Sequence, residues 1–107
     1  MTTPGGNAIG IIETRGVVAL TAGIEAMMKT ADVQTIAVER ISSGYLAAAV
    51  RGSLAAVRQA VAAGAKAVEE DGGRRAAQGD PKAHEHSAAL LANGTSERLA
   101  RAIEAAP

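Results

Sequence analysis

The order of residue patterns in this chain predicts an α+β fold: βαββαβ, with an antiparallel four-stranded sheet, helices on one face, and short C-terminal helices. Three observations predict it. Short runs rich in β-branched and small apolar residues lie at 8–14, 33–40 and 45–51. Two longer stretches carry apolar residues at helical spacing: Leu20, Ile24, Met27 and Ala31, then Leu54, Val57, Val61, Ala65 and Val68. Only a few residues ending in Ser42-Ser43-Gly44 separate the second and third runs, so a hairpin is the economical connection.

Residues 1–7 are turn-rich and read as a flexible N-terminus. Residues 8–14 read as a buried strand, broken by Arg15-Gly16. The first helix covers 17–31, with Glu25 and Lys29 four apart in the favourable order. Gly23 costs this helix about 1 kcal/mol in propensity, and a close neighbouring backbone accounts for it. Asp32 ends the helix, and the hairpin of 33–40 and 45–51 follows. Gly52-Ser53 opens the second helix, with Ser53 as its N-cap. Gly64 again predicts close packing. Glu69-Glu70-Asp71 sits unfavourably for the helix dipole, and Gly72-Gly73 is expected to stop the helix.

Residues 74–86 have neither strand nor helix periodicity. The element order calls for a last strand here, and only 74–78 could supply it, as a polar edge strand. Residues 87–92 read as one or two helical turns, ended by Asn93-Gly94. Thr95 or Ser96 can cap a last helix at 97–105, where Leu99 and Ile103 stand four apart. That piece is too short to hold alone in water. The whole is the split-βαβ, ferredoxin-like pattern.

A chain of 107 residues is enough for one small domain. Its interior is unusual: alanine is abundant and Tyr45 is the only aromatic residue. Each alanine methyl buries little area at roughly 25 cal/mol per Å², so burial at a subunit interface would help such a fold. Net charge is zero and no basic patch suited to phosphates stands out, so no nucleic-acid partner is expected. Arg74-Arg75 is a lone pair, read as a solvated or interfacial feature. Without cysteine there is no disulfide framework or thiolate site, which fits a reducing cytosol. The N-terminus lacks the basic and apolar regions of a signal peptide. No apolar run reaches the ~18 residues that would span a bilayer, so no membrane partner is expected.

Chemistry-bearing patterns are sparse. His84-Glu85-His86 would place both histidines on one face only in a strand, and the four ligands usual for structural zinc are not evident. It reads as a polar surface segment, and no metal or cofactor is expected. No catalytic serine–histidine–acid order, phosphate-binding loop or H-E-x-x-H motif is present. Glu13 and Glu39 are isolated on strands, so no catalytic residues are assigned. Ser42-Ser43-Gly44, taken alone, is a hairpin turn.

The stretches Gly10-Ile11-Ile12-Glu13-Thr14-Arg15-Gly16, Ala26-Met27-Met28-Lys29-Thr30-Ala31 and Glu39-Arg40-Ile41-Ser42-Ser43-Gly44 carry a resemblance. Val50-Arg51-Gly52-Ser53-Leu54-Ala55-Ala56-Val57 and Ala62-Ala63-Gly64 continue it. Together, over about two thirds of the chain, they resemble the bacterial microcompartment (BMC-domain) shell proteins, in the single-domain, hexamer-forming class. The resemblance implies a non-catalytic structural protein in the cytoplasm. Its homo-hexamers would tile with other shell proteins around encapsulated enzymes and pass small polar metabolites through a central pore. It divides the chain into a shell domain at 8–92 and a C-terminal extension at 93–107.

The resemblance also implies roles for particular residues. Ser42, Ser43 and Gly44 match the pore loop. Lys29 matches a lysine along the hexamer–hexamer edge, and Lys82 a basic residue reaching the neighbouring hexamer. Ser42 stands where glycine is common, adding hydroxyls to the rim. Ser53 replaces a common aspartate and keeps the capping chemistry. Lys82 stands where arginine is usual and lacks its bidentate fork. Tyr45 reads as packing near the subunit interface. Two other classes stay open: a ferredoxin-like small-molecule-binding regulatory protein with its effector between subunits, and a small enzyme using His84 or His86.

Overall fold

The computed structural model describes residues 6–42, 44–77, 86–90 and 97–106. Its elements are β1 (Ala8–Arg15), α1 (Val17–Thr30), β2 (Val33–Ser42), β3 (Tyr45–Gly52), α2 (Leu54–Ala77), β4 (His86–Leu90) and α3 (Glu97–Ala105). The strands form one sheet in the order β2-β3-β1-β4, and each neighbouring pair is antiparallel. The α+β class read from the sequence is therefore the class observed.

Alternation along the strands builds two cores. Ile12, Ala48 and Val50 point to the face covered by α1 and α2, where they join Leu20, Met27, Val57 and Val68. Ile11, Ala47 and Ala49 point the other way and meet Leu99 and Ile103 of α3. Side chains alternate across a pleated strand, so neighbours in sequence serve opposite cores. Helices were expected on one face; α3 instead covers the second. Two apolar residues four apart make one short stripe, and the sheet's second apolar face is the surface that buries it.

The helix pair on the first face meets through its glycines. A Cβ built on Gly23 would lie 2.5 Å from Ile12 Cδ1 and 3.5 Å from the Gly64 carbonyl oxygen. One built on Gly64 would lie 2.8 Å from Met27 Cγ and 3.3 Å from the Gly23 carbonyl oxygen. The close approach inferred from the two glycines is thus the α1–α2 crossing itself. Ser53 caps α2 as expected, its Oγ accepting from the Ala56 amide at 3.1 Å.

Three local expectations fail toward the C-terminus. Gly72-Gly73 does not stop α2, which runs on to Ala77. Asp71 and Gly72 are buried and this helix packs against β4, so tertiary contact outweighs a propensity cost of about 1 kcal/mol per glycine. Arg74 to Ala77 are consequently helical, not an edge strand. The last strand is His86–Leu90, so Ser87 to Leu90 are extended and not helical. β1 supplies the reason: its second edge pairs Gly10 with Leu90 and Thr14 with His86. Ladder hydrogen bonds to that edge override the weak strand propensity of Ser87-Ala88-Ala89.

Candidate functional site

The hairpin tip is built by β2 and β3. Their ladder pairs Glu39 with Ala47, Arg40 with Leu46 and Ser42 with Tyr45, with an irregularity between Arg40 and Ser42. Gly44 lies in the turn with φ +83, a conformation open to glycine at little cost. The glycine at 44 is therefore the residue its backbone favours. Ser43 lies outside the described residues.

β1 ends beside the same tip, where Arg15 pairs with Tyr45. The Arg15 guanidinium lies over the Tyr45 ring, 4.5 Å from its centroid, within cation–π range. A Cβ built on Gly44 would lie 3.4 Å from Arg15 Nη1. The end of β1 is itself fixed: fully buried Thr14 donates its hydroxyl to the Gly16 carbonyl at 3.1 Å, and Gly16 turns the chain into α1 at φ 92. Reading the residues in order did not bring Arg15 to the tip. The signal was faint: an arginine before a glycine break, and an aromatic residue just after a turn, on strands whose pairing is not local.

Lys29 lies far from this tip. α1 starts two residues after Arg15, and at 1.5 Å per residue its last turn is about 18 Å further along. β2 then returns from Val33 to Ser42. The hairpin tip and Lys29 accordingly lie toward opposite ends of β2. Lys29 is exposed and pairs with Glu25 at 2.9 Å, one turn back. Beside it, the Thr35 hydroxyl donates to Met28 Sδ at 3.2 Å, tying the end of α1 to β2.

Lys82 and His84 lie outside the described residues, and the backbone of His86 belongs to β4. Among the described residues, no three His, Cys, Asp or Glu side chains are grouped to hold a metal ion. No described helix is long and apolar enough to cross a membrane.

The model of the BMC domain matches residues 8–78, from the start of β1 through α2. The chain belongs to the BMC-domain family. The matched span contains Lys29 and the hairpin tip; Lys82 lies beyond it. The BMC-domain chain is 41% identical over 97 residues to the carboxysome shell protein CsoS1C of Hydrogenovibrio crunogenus (strain DSM 25203 / XCL-2), covering 90% of this chain and 95% of that protein. It is 36% identical over 90 residues to the bacterial microcompartment shell protein PduA of Salmonella typhimurium (strain LT2), covering 84% and 96%. Among solved structures it resembles a microcompartment protein from Desulfitobacterium hafniense DCB, with a TM-score of 0.64 at 22% identity. That likeness is one of fold; it spans 96% of this chain and 50% of the other.

Proposed function

We propose that this BMC-domain shell protein works as a perforated tile: six copies close into a ring, rings meet edge to edge, and the hairpin tips form the inner rim. The observation that carries this reading is the near full-length similarity to named shell proteins. Ser42, Ser43 and Gly44 line the pore. Repeated around an axis, they make a collar of hydroxyls and backbone amides. Such a collar favours small polar solutes over apolar ones by size and hydrogen bonding.

The geometry of the single chain supports this arrangement. With the hairpin tip toward one end of β2 and Lys29 toward the other, one end can face the axis while the other meets the next ring. Val17, Val18, Met28, Val38 and Leu54 are large apolar residues left exposed on one chain, and burial between subunits would take such side chains out of water. Lys29 and Lys82 are assigned to the hexamer–hexamer edge.

Residues 8–92 form the shell domain, in the ferredoxin-like arrangement, between residues 1–7 and the extension 93–107. The protein acts without catalysis or cofactor, in the cytoplasm, with other shell proteins as neighbours and enzymes enclosed. Similarity to shell proteins favours this reading over a metabolite-binding regulator or a histidine enzyme. Ser43→Leu tests the pore. It is expected to assemble normally yet slow entry of polar substrate into intact compartments. Unchanged entry would mean that the axis is lined by something else.

A further inference from the structure

We propose that Arg15 is a positioning residue for the pore: its guanidinium, stacked on Tyr45 and set against Gly44, holds the hairpin tip in the pose that sets the opening. The proposal rests on the pore reading above.

The tip needs such a hold. Its ladder is irregular between Arg40 and Ser42, so regular backbone pairing is interrupted where β2 approaches the turn. Gly44 contributes no side chain, and glycine leaves more backbone freedom than any other residue. Tyr45, the first residue of β3, brings the one aromatic ring to the tip.

Arg15 reaches that ring from the body of the sheet. β1 lies between β3 and β4, paired on both sides. Its last residue is anchored three ways: by the ladder pair with Tyr45, by the Thr14 hydroxyl closing on the Gly16 carbonyl, and by the start of α1 just beyond. From this fixed point the guanidinium covers the ring at 4.5 Å. Its Nη1 also stands 3.4 Å from the place a Gly44 Cβ would take. One side chain thus stacks on Tyr45, stands beside Gly44 and ties the tip to the end of β1. A flat guanidinium can stack and fill that gap together; an ammonium group cannot.

The test uses Tyr45 as its own reporter, because the chain has no other tyrosine, tryptophan or phenylalanine. Arg15→Met, Arg15→Lys and Ser43→Leu are compared with the unmodified protein, with ring assembly verified by light scattering. The readouts are near-ultraviolet circular dichroism, amide exchange at Gly44 and Tyr45, and entry of a small polar solute into intact compartments. For Arg15→Met the expected result is loss of about half or more of the tyrosine band and exchange about threefold to tenfold faster. Solute entry should change by about threefold, with partial recovery of all three in Arg15→Lys. Unchanged entry in Arg15→Met, while Ser43→Leu alters it, overturns the proposal and leaves the pore reading intact. Unchanged entry in Ser43→Leu overturns the pore reading itself, and with it any role for Arg15 there, even if the tyrosine band moves.

Discussion

The two faces of the sheet are held in different ways. On one, α1 and α2 cross at Gly23 and Gly64, close enough for Ile12, Met27 and Val68 to interlock around them. On the other, α3 lays Leu99 and Ile103 over Ile11, Ala47 and Ala49. The first face is a fitted contact between long helices. The second is one short helix on a sheet surface of isoleucine and alanine. Glycines let two helix backbones close in on the first face, whereas the second depends on the side chains of one short helix. The residues proposed to carry function sit away from both cores, at the hairpin tip and at the end of α1.

The largest effect should come from breaking the fitted face. Gly64→Val would force a branched side chain against Met27 and the Gly23 carbonyl, and is expected to destabilise the protein by about 3 kcal/mol in urea unfolding. Leu99→Ala, on the thin face, should cost about 2 kcal/mol by loss of a fully buried side chain. It should also speed amide exchange in α3 while α1 and α2 stay protected. Uniform loss of protection across all three helices would instead make the two faces one cooperative unit. Ser53→Ala removes the cap on α2 and should cost about 1 kcal/mol.

Lys29→Ala should be smallest in stability, because its exposed pair with Glu25 is worth about 0.5 kcal/mol or less. With Lys29 at the proposed ring edge, the expected effect is on assembly: rings should stay intact by light scattering while extended sheets are lost. Dissociation of the ring itself would place Lys29 inside it.

The same contrast governs how far the sequence could be read. From Ala8 to Gly52 each element announces itself locally, by β-branched runs, by Leu20, Ile24 and Met27 at helical spacing, and by a small-residue turn. Gly23 and Gly64 even signalled the crossing that joins them. Beyond Asp71 the deciding forces are not local. Gly72 and Gly73 read as a stop because burial against β4 is invisible in the sequence around them. Ser87 to Leu90 carry no alternation, since β1 dictates their extended form from the far end of the chain. At the candidate site the turn was legible and its clamp was not. Arg15 and Tyr45 meet only because β1 pairs with β3, and no pattern around either residue states that pairing.

Electron microscopy of the purified protein tests the central claim most directly, because the function assigned to the hairpin tip exists only when tips converge on an axis. The account predicts six-fold rings that pack into sheets or tubes, with density from the tips lining a central opening. Discrete dimers or trimers, or rings with the Lys29 end at the axis, would contradict it.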